Sequence, residues 1–169
     1  MVRRVSRLLV CIPTYNEAEN ILPLVEQVHA ALPDADVLVI DDASPDGTGD
    51  LVRERMFKDA RLTIMARQGK LGLGTAYMAG FAYGLQHDYT CVTTMDADFS
   101  HPPDRLPALV QPVEDGAHLA VGSRYVRGGG IRGWGIGRRL LSAIANFVAR
   151  QVLRLRTHDC TGGFRCYGL

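Results

Sequence analysis

Short apolar runs alternate with segments of helical periodicity along most of the chain. The runs cover residues 8–12, 37–40, 62–66, 89–95 and 119–122. This is the length and pattern of strands buried on both faces of a parallel sheet. Apolar residues at helical spacing follow the first four runs and predict four helices. These helices are expected from near Ala18 to Leu32, over 49–57, up to about 85 and over 103–114. The alternation is typical of right-handed βαβ units in a mostly parallel sheet.

Polar residues follow three of these strands at the point where each strand ends. Asn16 follows the first, Asp41 and Asp42 the second, and Asp96 and Asp98 the fourth. Ligands of open α/β sheets bind beyond the carboxyl ends of the strands, so these groups are expected to share one site. Taken separately, each group also has a simpler interpretation: Asn16 can cap the helix that starts near residue 18, and an aspartate can cap a turn.

The Asp96-Ala97-Asp98 sequence is a candidate metal site. Mg²⁺ and Mn²⁺ prefer oxygen ligands, often carboxylates completed by substrate phosphates, so the pair could hold a cation against a nucleotide diphosphate. An acidic turn is the simpler interpretation of this short, common pattern alone. Asp42 could accept hydrogen bonds from a nucleotide base or ribose, while Asp41 or Asp46 could serve only as a cap. The first turn lacks Gly-x-Gly-x-x-Gly and the chain has no Walker sequence, which argues against a dehydrogenase or a phosphate-loop kinase.

Charge is distributed unevenly along a chain whose length of 169 residues indicates one domain. Residues 1–123 carry ten basic and seventeen acidic side chains, whereas residues 124–156 carry eight arginines and no acid. The formal net charge is only +1. This division predicts two anionic ligands, one bound through a metal on the acidic part and one bound directly by arginines.

The cysteines and the hydropathy indicate a reducing, cytoplasmic setting. Cys11 and Cys91 fall inside predicted strands, where a free thiol behaves as a small apolar residue, and no Cys-x-x-Cys spacing occurs. No apolar run reaches the roughly 18 residues of a membrane span. The first apolar run breaks at Pro13, unlike the core of a cleaved signal peptide.

Residues 137–155 have the pattern of an amphipathic helix with several arginines opposite its apolar face. Arg138 and Ser142 are four residues apart on one face and could bind a single phosphate together. Such a helix suits the surface of an anionic bilayer, but it could equally pack on the sheet with its arginines solvated. Nucleic acid is disfavoured because no aromatic residues are interleaved with the basic ones.

Six motifs carry a resemblance to a known family. They are PTYNE at residues 13–17, DDASPDGT at 41–48, KLGLGTAY at 70–77, MDADFSHP at 95–102, GSRY at 122–125 and DCTGGFR at 159–165. In this order and spacing they resemble the polyprenol-phosphate mannosyltransferases, also called dolichol-phosphate mannose synthases. These are inverting family-2 glycosyltransferases, and the resemblance covers nearly the whole chain.

The resemblance implies a single α/β domain of the GT-A, Rossmann-like fold with a C-terminal amphipathic helix. Residues 1–123 would form the nucleotide-sugar-binding core, and residues 124–169 an incomplete segment facing the acceptor and the membrane. The implied activity is inverting transfer of mannose from GDP-mannose to a dolichyl-type polyprenyl phosphate. It would take place on the cytoplasmic face of a membrane, with the protein bound peripherally to the membrane surface.

Roles for individual residues follow from the same resemblance. The guanosine of GDP-mannose would contact Pro13, Tyr15, Glu17, Ile40 and Asp42. The diphosphate would lie by Asp96, Ala97 and Asp98, with Asp98 the main ligand of Mg²⁺ or Mn²⁺, Asp96 assisting and Ser100 a candidate third ligand. Some members have Gln at the position of Ser100. The transferred sugar and the acceptor phosphate would face Arg124, and the lipid phosphate would also contact Arg138 and Ser142.

Two alternatives stay open at this stage. Family members continue well past residue 169, so we expect the sequence to lack further strands and a basic loop that clamps the donor, or to depend on a membrane-anchoring partner. One alternative is transfer of another sugar, such as glucose from UDP-glucose. The other is an inactive, truncated module that binds a nucleotide or a membrane.

Overall fold

The computed structural model describes residues 7–123, 159 and 162–169. The strands in these ranges are β1 Leu8–Thr14, β2 Asp36–Asp41, β3 Leu62–Ala66, β4 Cys91–Thr94, β5 Leu119–Val121 and β6 Arg165–Gly168. The α-helices are α1 Ile21–Ala31, α2 Thr48–Met56, α3 Leu73–Gln86 and α4 Leu106–Glu114, the last preceded by a 3₁₀ turn at Pro103–Arg105. None of the helices in this described part combines the length and apolarity that crossing a bilayer requires.

The six strands form one sheet in the order β3-β2-β1-β4-β6-β5. Strands β1 to β4 are mutually parallel, whereas β6 is antiparallel to both of its neighbours. Since β4 and β5 both oppose β6, they run in the same direction. The expected mostly parallel α/β sheet is therefore confirmed. The inserted strand β6 was not predicted, and it places the end of the 124–169 segment inside the core sheet.

Side chains of β1 alternate between two hydrophobic clusters on opposite faces of the sheet. Leu8, Val10 and Ile12 pack in the larger cluster, which includes the buried faces of α1 and α4. Leu9 and Cys11 point the other way, into a smaller cluster that includes Ala76 of α3. This alternation follows from the two-residue period of a strand. Both faces are covered, which explains why the run is apolar at every position.

Helix α3 packs closely on its face of the sheet because small residues line its buried side. A Cβ atom at Gly80 would lie 2.8 Å from Cys11 Sγ, and one at Gly84 would lie 2.7 Å from Val92 Cγ2. Real Cβ atoms do not approach other atoms so closely. Glycine at these two positions therefore sets the distance between the helix and the sheet.

The start of α1 differs from the sequence prediction. The helix begins at Ile21 rather than near Ala18, and Asn16 does not cap it. The amides of Asn20 and Ile21 both donate to Glu17 O, so a turn precedes the helix. Asn16 instead adopts φ 61°, in the left-handed region. The predicted amphipathic helix at 137–155 lies outside the described residues.

Candidate active site

Loops at one edge of the sheet bring the predicted polar groups together. Thr14 at the end of β1 pairs with Asp41 at the end of β2, and Asp41 pairs with Ala66 at the end of β3. Thr94, at the end of β4, is in register with Cys11 of β1. We call the loops that leave this edge the first (residues 15–20), second (42–47), third (67–72) and fourth loop (95–102).

The first and second loops are joined by three consecutive backbone amides. Asn16 N donates to Ser44 Oγ at 3.0 Å, Glu17 N to Thr48 Oγ1 at 2.9 Å and Ala18 N to Asp46 Oδ2 at 3.0 Å. Asp46 Oδ1 also accepts the amide of Thr48 at 3.0 Å and its hydroxyl at 2.6 Å. Desolvation opposes ionisation of Asp46, but these hydrogen bonds lower the pKa of its carboxyl.

Asp41 is a structural carboxylate beneath these two loops. It is buried, and its Oδ1 accepts hydrogen bonds from Thr14 Oγ1 at 3.0 Å and from Ser44 Oγ at 2.5 Å. Its Oδ2 accepts the amide of Ser44 at 3.1 Å. A buried charge needs such partners. Asp41 therefore fixes the conformation of the second loop.

Asp42 points to the third loop and is also buried. The Arg67 guanidinium forms an ion pair and a hydrogen bond with its Oδ1, and the Leu71 amide donates to its Oδ2 at 3.2 Å. Arg67 also donates to Thr75 Oγ1 at 2.7 Å. Both oxygens of the predicted nucleoside contact thus already accept hydrogen bonds from the third loop. Arg67 also lines a cleft of about 250 Å³, together with Asp41, Ser44 and Arg53.

The other predicted guanosine contacts differ in exposure. Tyr15 is 38% exposed, and the Lys70 ammonium lies 4.2 Å from the centre of its ring. Pro13 and Glu17 are half-buried, and Glu17 Oε2 accepts Asn20 Nδ2 at 2.8 Å. Ile40 is fully buried in the smaller hydrophobic cluster. The whole residue, backbone included, is inaccessible, so the predicted contact between Ile40 and a ligand would require its neighbours to move.

Asp96 and Asp98 stand in the fourth loop, with Ala97 buried between them. Asp96 Oδ1 accepts the Tyr77 hydroxyl at 3.1 Å, and burial together with this carboxylate raises the pKa of Tyr77. Asp98 is exposed, and its Oδ1 accepts the amide of Ser100 at 3.0 Å. Desolvation opposes ionisation of Asp98, but the hydroxyl and amide of Ser100 lower the pKa of its carboxyl.

The donor set of this loop fits a hard divalent cation. Asp98 combines exposure with a lowered pKa, so it offers ionised oxygens at neutral pH, and Asp96 adds a half-buried carboxylate. Among residues 7–123, 159 and 162–169, no three His, Cys, Asp or Glu side chains converge as a metal cluster. Mg²⁺ and Mn²⁺ commonly take one or two carboxylates and complete their shell with substrate phosphates and water. The Ser100 hydroxyl, predicted as a third ligand, interacts with Asp98, and its oxygen lone pairs stay available to a cation.

Backbone strain is concentrated at this edge of the sheet. Four described residues other than glycine have positive φ, and three of them lie in the site loops: Asn16 at 61°, Ala43 at 55° and Phe99 at 59°. Such conformations cost free energy and persist where surrounding contacts impose them, often at functional sites. The hydrogen bonds described above supply these contacts for the first two loops.

Two residues in contact with the site, Arg67 and Tyr77, were not predicted from the sequence. Arg124, Arg138 and Ser142 lie outside the described residues. Arg67 was not identified from the sequence, although it directly follows a strand end as the aspartates do. Tyr77 belongs to the KLGLGTAY motif, but no pattern in the sequence indicates that its hydroxyl reaches Asp96.

Residues 9–168 match the family described as Glycosyl transferase family 2. The chain therefore belongs to glycosyl transferase family 2.

Two relatives are similar over nearly the whole chain. The chain is 49% identical over 167 residues to polyprenol monophosphomannose synthase of Mycolicibacterium smegmatis, covering 98% of this chain and 63% of the relative. It is 44% identical over 161 residues to undecaprenyl-phosphate mannosyltransferase of Micrococcus luteus, covering 95% and 66% respectively. The chain thus spans slightly less than two thirds of the length of these relatives.

Solved structures confirm the expected GT-A fold. Glucosyl-3-phosphoglycerate synthase of Mycobacterium tuberculosis, solved with UDP, matches with a TM-score of 0.67 over 97% of this chain and 57% of its own, at 21% identity. A mannosyltransferase from Pyrobaculum calidifontis, solved with GDP-Man and Mn²⁺, matches with a TM-score of 0.52 at 28% identity. That match covers 64% of this chain and 31% of the mannosyltransferase.

Proposed function

We propose that this chain transfers mannose from GDP-mannose to a polyprenyl phosphate, with inversion, to give a β-mannosyl phosphoryl polyprenol. The observation that carries the proposal is the position of Asp96 and Asp98 at the same sheet edge as the joined first and second loops. That edge is where nucleotide ligands of such sheets bind. Both relatives described above are named as polyprenyl-type mannose transferases, which supports the choice of sugar and acceptor.

The first loop is preorganised for a nucleoside, and we take GDP-mannose as the donor. Three of its amides are held by side chains of the second loop and α2, which presets Tyr15 and Glu17 for a nucleoside. The structural neighbour solved with GDP-Man and Mn²⁺ supports the same donor. Both oxygens of Asp42 already contact the third loop, through Arg67 and the Leu71 amide. Asp42 would therefore act on the donor indirectly, by holding that loop, or it would contact the donor itself once the loop has moved.

Mg²⁺ or Mn²⁺ would be held by Asp98 and Asp96 and would supply Lewis-acid stabilisation of the departing diphosphate. Within the chain, Asp98 Oδ1 accepts the Ser100 amide and Asp96 Oδ1 accepts the Tyr77 hydroxyl. The nucleophile is a phosphate oxygen that is already ionised at neutral pH, so the reaction needs no general base. Consistent with this, His101 Nδ1 accepts the Asp96 amide at 2.9 Å and has a structural role.

The acceptor side of the proposal rests on the basic segment. Arg124, Arg138 and Ser142 would bind the lipid phosphate, and the arginines of residues 124–156 would favour a peripheral position on the cytoplasmic face of an anionic membrane. Attack from the face opposite GDP would convert the α-linked donor into a β-linked product. Polyprenyl phosphate would then be presented at the membrane surface.

The test is transfer of labelled mannose from GDP-mannose to a polyprenyl phosphate by the full-length protein in detergent or vesicles. Asp98→Ala should abolish transfer, and chelation of divalent metal should do the same. Asp104→Ala is the matched control. Asp104 is an exposed aspartate in the 3₁₀ turn that follows the fourth loop, and it should be dispensable. Undiminished transfer by Asp98→Ala, or faster transfer from UDP-glucose, would overturn the assignment.

A further inference from the structure

Tyr77 reaches Asp96 from a different element of the fold. It lies on α3, which packs on one face of the sheet, whereas Asp96 lies in the fourth loop. The phenol hydroxyl donates to Asp96 Oδ1 at 3.1 Å. A phenol has a single hydrogen to donate, and Tyr77 donates it to this carboxylate oxygen.

Gly163 lies against both partners of the hydrogen bond between Tyr77 and Asp96. A Cβ atom on Gly163 would lie 2.9 Å from Tyr77 Oη and 3.3 Å from Asp96 Oδ1. Glycine is therefore what leaves space for the phenol and the carboxylate to meet. The carbonyl of Gly163 accepts the Thr94 hydroxyl at 2.6 Å, which fixes the backbone at this point against the end of β4.

The main chain of Asp96 is held separately, by His101. The Asp96 amide donates to His101 Nδ1 at 2.9 Å, so the hydrogen-bond geometry assigns the ring proton to Nε2. Nε2 lies 3.7 Å from Asp96 Oδ2. The imidazole stacks on Phe164 with ring centroids 5.0 Å apart and planes 16° apart. With the backbone fixed in this way, the contact with Tyr77 selects the orientation of the carboxylate.

We propose that Tyr77 is a positioning residue that orients the Asp96 carboxylate for the divalent cation and the donor diphosphate. The Asp96 side chain is 37% exposed, so water could satisfy it without a phenol, and a contact made only for stability would contribute little. Groups that hydrogen-bond to a metal-ligating carboxylate, in contrast, commonly change metal affinity or activity by about 10- to 100-fold. This inference rests on the proposed function, because only a ligand at Asp96 makes the orientation of its carboxylate matter.

The experiment compares Tyr77→Phe with wild type, using Tyr83→Phe as the matched control. Tyr83 lies on the same helix and is also partly buried, and it stacks on His87 rather than approaching Asp96. Free Mn²⁺ is measured by electron paramagnetic resonance while Mn²⁺ is titrated into the full-length protein saturated with GDP. We expect Tyr77→Phe to bind Mn²⁺ about tenfold more weakly and Tyr83→Phe to match wild type.

Turnover supplies a second readout. The Mn²⁺ concentration that half-activates mannose transfer should rise in Tyr77→Phe, and excess Mn²⁺ should restore most of the rate. Tyr83→Phe should need no additional Mn²⁺ for half-activation. Gly163→Ala approaches the same contact from the other side and should show the same rise, which keeps the inference testable if Tyr77→Phe folds poorly.

Mn²⁺ affinity and half-activation equal to wild type in a folded Tyr77→Phe would overturn the inference. Equal weakening in Tyr83→Phe would also overturn it, because the effect would then belong to the helix as a whole. A wild-type protein that transfers mannose while Tyr77→Phe is unchanged refutes only this inference. A wild-type protein that neither binds Mn²⁺ with GDP nor transfers mannose refutes the proposed function, and this inference with it.

Discussion

Replacing Thr48 by valine should separate the first and second loops at one point while preserving side-chain shape. Thr48 is fully buried at the start of α2, and its hydroxyl accepts the Glu17 amide at 2.9 Å and donates to Asp46 Oδ1 at 2.6 Å. Valine fills nearly the same volume but can do neither. The Glu17 amide would lose its acceptor, and Asp46 would lose one of its hydrogen bonds.

The cost follows from these two losses. Leaving a buried donor without a partner costs about 1–3 kcal/mol, and a hydrogen bond to a charged group contributes about 1.5–3 kcal/mol. Asp46 is exposed and water can replace its lost donor, so most of the effect comes from Glu17. We expect Thr48→Val to lower the free energy of unfolding by about 2 kcal/mol. For a domain of this size, that corresponds to a fall in Tm of about 4–8 °C.

Urea unfolding measures this change directly, as a lower midpoint at an unchanged slope. Thr48→Ser is the control, because it keeps the hydroxyl and loses one methyl group, at a cost of about 1 kcal/mol. Since Glu17 is a proposed guanosine contact, GDP should also bind more weakly to Thr48→Val than to Thr48→Ser. The reasoning is refuted if serine is as destabilising as valine, or if valine changes stability by less than about 0.5 kcal/mol.

Other regions of the fold give three further predictions. Gly84→Ala should destabilise by about 1–3 kcal/mol through overpacking, as measured by urea unfolding, whereas Gly74→Ala on the same helix meets open space and should be neutral or slightly stabilising. Burial lowers the pKa of His29 below its usual 6.5 despite a nearby carboxylate. The unfolded chain therefore binds the proton more readily than the folded chain. The free energy of unfolding should fall as the pH drops from 6.5 towards the lower pKa of the folded state. His29→Gln should flatten this dependence between about pH 7.5 and 5.5. Arg67→Leu would leave buried Asp42 without its cation and should cost about 3 kcal/mol, a loss that Arg67→Leu combined with Asp42→Asn should partly recover in the same unfolding assay.

The elements of the sheet that have strong local signals could be predicted from the sequence. Strands β1 and β2 contain continuous apolar runs because both faces of the sheet are covered there. The alternation of β1 to β3 with helices predicts their parallel pairing. Strand β6 has no such signal. It contains four residues, of which only Cys166 is buried, and it pairs with β4, a strand far away in the sequence. Such a strand is defined by its partners rather than by its own pattern.

The candidate site was predictable in location but not in its internal contacts. Carboxylates after strand ends indicate one edge of the sheet, and Asp42, Asp96 and Asp98 do lie in loops at that edge. The division of roles between Asp41 and Asp42 depends on which way each side chain points, and consecutive residues of an extended chain point in opposite directions. The ion pair between Asp42 and Arg67 joins loops 25 residues apart, so no local spacing indicates it.

Calorimetric titration of GDP-mannose into the protein, with and without Mn²⁺, tests the central claim most directly. We expect Mn²⁺ to strengthen binding at least about tenfold, and Asp98→Ala to remove that increment while metal-free binding stays close to wild type. Binding of GDP-mannose that does not respond to Mn²⁺, or an increment that survives in Asp98→Ala, would contradict a metal-assisted donor site at Asp96 and Asp98.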